Sequence, residues 1–254
     1  MFNDVLQPDF LWTVLALAGI AAVASYAQAV SGFGFALLAV PFAMPLVGVQ
    51  QAVVAVTLLG FILTFAASLK LRTQVSWKPV ALISVSAIVG MPIGLLIMQW
   101  ADSRYLSLGI GLVVLATVVV LASGGLGQLG SRGGVIGAGV VSGVLLSSTG
   151  MNGPPLVLAF QSMKMSPQNF RASLQVTFSL ADFFVLIGFL IVGTLTAPLA
   201  LQTLAATPAM ALGWWLGDRT FARLKPGTFR VVVLVMLGVS GCTAVMQAVD
   251  GLIG

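Results

Sequence analysis

Two stretches of this chain carry residue types able to do chemistry in otherwise apolar surroundings. Ser148-Thr149-Gly150-Met151-Asn152-Gly153-Pro154-Pro155-Leu156 interrupts a long hydrophobic run with glycine, two prolines and polar side chains. A weaker twin, Ser31-Gly32-Phe33-Gly34-Phe35, stands far upstream. Glycine lets a chain leave a helix, and proline in a first helical turn costs no hydrogen bond. Pro154-Pro155 therefore reads as the start of a new helix. A helix start presents unpaired N–H groups and a partial positive charge, which together make an anion site. In hydrocarbon those groups need a partner. A bound oxyanion would serve, as would Ser148, Thr149 and Asn152 around Gly150 and Gly153. At the first break Ser31 and the N–H groups around Gly34 and Phe35 offer the same arrangement. The bland alternative, glycines that only let helices pack closely, accounts less well for a proline pair and an asparagine.

Asp182 is the second signal. It lies in the middle of an apolar segment beside Ala181 and Phe183-Phe184. A carboxylate there costs on the order of 2.5–3.5 kcal/mol on insertion scales, so it is rarely idle. Helical spacing puts it on one face with Arg171, Gln175 and Ser179. A proton-coupling or gating role for Asp182, Gln175 and Arg171 competes with a structural hydrogen bond to a neighbouring helix. For Arg171 the plainer reading is a topological anchor at a helix end. Thr57 and Thr177 sit at matching places early in two helices, and Thr57, Thr64 and Ser68 share a face. Gln28 closes the first helix. Hydroxyls in membrane helices most often bond their own backbone.

The elements that must position these groups follow from composition. The chain has 254 residues, 59% hydrophobic and 7% charged, where soluble domains carry roughly 25% charged residues. That leaves too little polar surface for a water-facing shell, and the class is an all-α polytopic membrane protein. Glu and His are absent and Cys242 is the single cysteine, which removes histidine relays, disulfides within the chain and cysteine metal clusters. No metal or other cofactor is expected. The first nine residues carry Asp4 and Asp9 and no basic residue, unlike a signal peptide, so the first segment is expected to stay. On a ruler of about 20 apolar residues per crossing, helices are expected near Phe10–Val30, Phe35–Val47, Gln51–Leu69, Pro79–Trp100 and on to Ala122. A glycine-rich linker, 123–133, follows. Further helices are expected near Gly134–Ser147, Pro155–Met163, up to Gly193, over Pro198–Leu216, and one to the end. Trp77, Trp100, Trp214 and Trp215 fall near expected helix ends, as interface belts do.

An internal repeat organises these ten helices. A shift of 119 lays Pro79 on Pro198, Met91 on Met210, Gly94 on Gly213 and Arg104 on Arg223; shifts of 120 and 118 lay Thr57 on Thr177 and Gly32 on Gly150. The halves are taken as 10–122 and 134–250. With the Lys70–Lys78 loop in the cytoplasm, ten of the 11 positive charges fall on one side, as the positive-inside rule asks. Both termini then lie outside, and five crossings per half make the halves inverted. Re-entrant hairpins at helices 1–2 and 6–7 give the same charge count. A broken helix that occurs twice, in inverted halves, points to a transport site near the midplane.

The repeated order of glycine-rich break, proline-bearing apolar segment, then Ala52 and Thr57 or Ala172 and Thr177 early in the next helix resembles the TauE/SafE family of bacterial permeases (the toluene sulfonate uptake permease family). Ser31-Gly32-Phe33-Gly34-Phe35 through Pro41 is similar to that family's first signature, with Phe35 and Ala36 replacing further glycines. In Gly150-Met151-Asn152-Gly153-Pro154-Pro155, Asn152 stands where a glycine is usual. The resemblance implies secondary transport of small sulfur-containing anions such as sulfite, sulfonates or sulfoacetate across a bacterial inner membrane. The expected partners are that anion, the lipid bilayer and, from Asp182, a coupling proton, with no nucleic acid and with a homodimer left open. A carrier or channel for another small anion, such as a carboxylate, is the alternative. An intramembrane enzyme would need a carboxylate pair, a histidine or a cysteine pair that the chain lacks, and no nucleotide motif suggests ATP as the driver.

Overall fold

The computed structural model describes residues 8–122, 131–163, 165–221 and 246, and among them all regular structure is helical. The helices are α1 (Pro8–Ser31), α2 (Phe35–Val47), α3 (Val49–Leu71), α4 (Trp77–Trp100), α5 (Ser103–Ala122), α6 (Arg132–Thr149), α7 (Gly153–Ser162), α8 (Pro167–Val192), α9 (Ala197–Ala205) and α10 (Thr207–Phe221), with a 3-10 turn at Arg72–Gln74. Among the described residues four stretches are long and apolar enough to cross a bilayer: Leu11–Ser31, Val49–Gln74, Trp77–Trp100 and Gln168–Val192. Their outward faces are hydrocarbon, as with Val85, Val89 and Ile93 on α4, and Trp12, Trp77 and Trp100 stand exposed near helix ends. This is the surface of a polytopic membrane protein.

Two expectations need correction. The helix expected over Pro198–Leu216 is two, α9 and α10, hinged at Ala206. Pro208 has no N–H to offer the Leu204 carbonyl one turn back, and its ring crowds that carbonyl. Ser148 and Thr149 belong to the end of α6, not to the break: each hydroxyl bonds a carbonyl one turn back, at 2.7 Å from Val144 and from Leu145 respectively, so the helix runs on to Gly150. The expected last helix, the linker residues 123–130, Lys164, Arg223, Lys225, Arg230 and Cys242 lie outside the described residues.

Three helix pairs make the frame. α3 and α8 cross antiparallel at the centre, joined by the rings of Phe61 and Phe183 (6.0 Å), and the Ser76 N–H, just ahead of α4, reaches Ser173 Oγ on α8 (3.0 Å). α4 lies parallel along α6, and α1 lies parallel along α10. These last two pairs are built alike. Ser147 Oγ donates to the Met91 carbonyl (2.9 Å), and Ser25 Oγ donates to the Met210 carbonyl (2.8 Å). Gly94 meets Ser147 and the Val144 backbone, while Gly213 meets Ser25 and the Ala22 backbone. Lipid tails are as apolar as leucine, so such helices associate through close backbone approach and buried hydrogen bonds. A side chain at Gly143 would overlap the Ala87 carbonyl, whereas one at Gly137 on the same helix would meet nothing within 4 Å.

That contrast sets a test of the packing. Gly143→Val is expected to destabilise the protein by roughly 3 kcal/mol or more, at or above the top of the overpacking range, because a backbone cannot yield as a side chain can. Gly137→Val adds the same residue to the same helix and is expected to leave the Tm and the monodisperse yield in detergent close to wild type.

Candidate functional site

Each break is made by glycines in the left-handed region. Gly32 (φ 84°) ends α1 and Gly34 (φ 102°) precedes α2, while Gly150 (φ 75°) ends α6 with its N–H on the Leu146 carbonyl at 2.9 Å. Residues with a Cβ rarely adopt such angles. In the first break the freed groups are claimed locally. Ser31 Oγ bonds the Ala27 and Phe33 carbonyls and receives the Phe33 N–H. The Phe35 N–H donates to Gln28 Oε1 (3.0 Å), Gln28 Nε2 donates to Gln175 Oε1 (3.3 Å), and Gln175 Nε2 donates to the Gly32 carbonyl (2.9 Å). In the second break Ser142 Oγ donates to the Asn152 carbonyl (3.2 Å). Pro154 and Pro155 have no N–H, so the first turn of α7 offers those of Gly153 and Leu156 alone. α7 is thus the poorer donor of the two helix starts.

Both breaks open on one small cavity at mid-depth of α3 and α8. The first break contributes Gln28, Gly34 and Phe35, and the second contributes Gly150, Met151, Asn152 and Gly153. α3 adds the stripe Val56, Thr57, Gly60 and Thr64, and α8 adds Phe178 and Asp182. The breaks touch beside it: a Cβ at Gly153 would lie 3.7 Å from the Phe33 ring. Asp182 is 5% exposed and Asn152 is 8% exposed. Asn152 Nδ2 is buried without a hydrogen-bond partner, a state that costs about 1–3 kcal/mol for an amide donor. Asp182 Oδ2 sits 3.4 Å from Thr64 Oγ1, whose shorter bond goes to the Gly60 carbonyl at 2.8 Å. The carboxylate lies against α3 at Gly60, where a Cβ would stand 3.5 Å from Asp182 Oδ2, in ordinary contact. Among the described residues no lysine or arginine lines the cavity.

Of the residues singled out in the sequence, Gly34, Phe35, Thr57, Gly150, Asn152, Gly153 and Asp182 line the cavity. Thr57 gives its proton to the Val53 carbonyl (2.7 Å), so only its lone pairs face inward. Thr177 bonds the Ser173 carbonyl (2.8 Å). Ser31, Gly32, Phe33, Ser148, Thr149, Pro154 and Thr177 do not line the space but shape the breaks and helices around it, and Gln175 reaches it through Gln28. Sequence reasoning gives no site role to Gln28, Gly60 or Phe178. The stripe Thr57, Gly60, Thr64 at helical spacing is a readable signal for Gly60, and Phe178 lies one turn from Asp182.

A profile of the family described as "Sulfite exporter TauE/SafE" matches residues 17–244. The chain belongs to that family. A curated relative, "Probable sulfite/organosulfonate exporter TauE" of Cupriavidus necator (strain H16), is 25% identical over 253 residues, which covers 96% of this chain and 98% of the relative. No solved structure matches the chain. The TauE/SafE assignment makes anion transport the setting of the cavity.

Arg171 stands apart from the cavity. Its Nη2 pairs with Asp218 Oδ1 at 3.0 Å, while Lys70 Nζ pairs with Asp218 Oδ2 at 2.9 Å. Its guanidinium also lies 5.5 Å from the Trp214 ring centre, and its stem packs under Gly32. The ion cluster therefore joins the ends of α3, α8 and α10 beside the first break. Burial alone would raise the carboxyl of Asp218, but the hydrogen bonds and charges of Lys70 and Arg171 hold it below its ordinary 3.8. In this TauE/SafE member the stabilisation should be complete above about pH 4 and lost as pH falls through the depressed value. With Asp218 one-third exposed (33%), its size should stay within roughly 1 kcal/mol. Thermal unfolding in detergent should show a small acid-side loss in wild type that Asp218→Asn abolishes, with a lower Tm for the variant at neutral pH.

Proposed function

We propose that this chain is a secondary active transporter of small sulfur-containing oxyanions, of the sulfite, sulfonate or sulfoacetate type, working by alternating access around the mid-depth cavity. The observation that carries the reading is the Asn152 amide, a buried, unpaired donor on a residue that lines the cavity beside the start of α2. An anion oxygen is the partner it lacks. The printed name of the Cupriavidus relative supports sulfite and organosulfonates as the class. The parallel pairs α1·α10 and α4·α6, built alike on either side of α3·α8, support two inverted halves moving about a common site. Positive charge at the Lys70 and Arg171 end supports an inner-membrane protein with that end in the cytoplasm and both termini outside.

Proton coupling follows from Asp182. An anion and an ionised carboxylate about 5 Å apart repel by roughly 3 kcal/mol at an effective dielectric near 20. With no cation among the lining residues, the simplest relief is a proton on Asp182 while the anion is bound. Thr64 suits both states, since a hydroxyl can donate to a carboxylate or accept from a carboxylic acid. Anion and proton then move together, and net direction follows the sum of their gradients.

Purified full-length protein in liposomes, given labelled sulfite, methanesulfonate and acetate with and without a pH gradient, tests this. Saturable flux of the sulfur anions that tracks the gradient is expected. Linear flux indicates a channel, and no flux of any anion defeats the reading. Asn152→Leu keeps the volume and removes both donors, so the half-saturating concentration should rise about tenfold or more, as the loss of one hydrogen bond to a charge implies. Asp182→Asn should still bind the anion but lose gradient-driven accumulation; unchanged accumulation would sink the coupling role.

A further inference from the structure

Gln28 occupies a position that the transport reading leaves unexplained. It is buried, it lines the cavity, and its Oε1 accepts the N–H of Phe35, the first residue of α2. The orientation of its amide is fixed from both ends. The Phe35 N–H requires an acceptor, and the Gly32 carbonyl at the other end of the relay requires a donor, so each glutamine can point only one way. Phe35 lines the cavity at the start of α2, so its N–H is the donor that a ligand there would meet if Gln28 withdrew.

We propose that Gln28 is the resident ligand of the α2 start, a neutral amide that stands in for the substrate and that the incoming anion displaces. This rests on the anion-transport reading above. The anion takes the Phe35 N–H from Gln28 Oε1 and the unpaired Asn152 amide from the other side, so one ligand engages both breaks. An anionic oxygen outcompetes a neutral carbonyl for the same donor because a charged acceptor makes the stronger bond. Displacement has a structural consequence. The Gln28 amide that turns away is also bonded to Gln175 on α8, so binding at the end of α1 loosens a tie between α1 and α8. Gln28 is in this sense a specificity-determining residue: a neutral solute binds too weakly to displace it. Gln175, which touches the cavity only through Gln28, is a positioning residue.

The same proteoliposomes decide it, with sulfite and methanesulfonate as the probes and full-length variants. Gln28→Leu removes the competitor and keeps the bulk, so the KM for sulfite is expected to fall threefold or more while the maximal rate also falls, because the tie to α8 no longer reports occupancy. Gln28→Glu leaves a charged acceptor on the Phe35 N–H and should raise KM at least tenfold. A purely structural staple predicts the opposite for Leu, a raised KM with a lower Tm, and that result overturns the proposal, as does an unchanged KM. Where Gln28→Leu yields no folded protein, Gln28→Glu carries the test alone, and an unchanged KM there refutes it. Wild-type protein that transports neither probe defeats the anion reading and this inference with it; wild-type transport with unshifted KM in the variants defeats the inference only.

Discussion

A helix that breaks inside hydrocarbon frees N–H and C=O groups where no water can take them. Most of what is unusual in this chain answers that constraint. At the first break two glutamine amides, one from α1 and one from α8, span from the Gly32 carbonyl to the Phe35 N–H like a borrowed piece of backbone. At the second, Ser142 reaches across to the Asn152 carbonyl, and the proline pair removes two N–H groups that would otherwise need partners. Ser148 and Thr149 bond their own helix and so prolong it to the glycine. Among the cavity-lining side chains of the two breaks, Asn152 Nδ2 is the buried donor left without a partner. Satisfaction is thus nearly complete, and the remaining donor belongs to a residue that lines the cavity, which is what the proposed anion site rests on.

The frame that holds the breaks in place relies on absence of side chains. Gly90, Gly94, Gly139 and Gly143 bring α4 against α6, and Gly213 and Gly217 bring α10 against α1. Van der Waals contact at backbone distance replaces the hydrophobic drive that lipid removes. Because the contacts of α4 with α6 are repeated in those of α10 with α1, the central pair α3·α8 is flanked on both sides by units of the same design. The cavity opens against that central pair, where Gly60 and Asp182 meet.

Much of the helical architecture is legible in the sequence because hydrophobic length is a strong signal at about 20 residues per crossing. The boundaries of α2 and the crossing of α4 to Trp100 need no more than glycine, proline and tryptophan. Pro208 is visible too, yet its effect at Ala206 is not: apolar residues stand on either side of it, Leu204 to Ala206 before and Ala209 to Leu212 after, and mask the hinge in a reading based on hydropathy. In the cavity, Asn152 and Asp182 stand out as polar residues out of place, whereas Gln28 looks like an ordinary polar helix end. Its role depends on α8 coming within hydrogen-bond reach, a contact across 147 residues of chain that no local pattern encodes.

The two breaks differ where it matters most. From Ser25, which marks one repeated contact, the chain runs seven residues to Gly32; from Ser147, its counterpart, it runs three to Gly150. α1 therefore carries one extra helical turn before it breaks, and that turn holds Gln28. The second break has no such turn before it and instead leaves Asn152 unpaired. Perfect symmetry would have put identical, equally satisfied breaks on both sides of the cavity. One break is closed by a glutamine amide and the other ends in an unpaired donor. On the proposal that an anion displaces Gln28, a single ligand would meet two unlike surfaces and be bound in one orientation, and the break it disturbs would be the first.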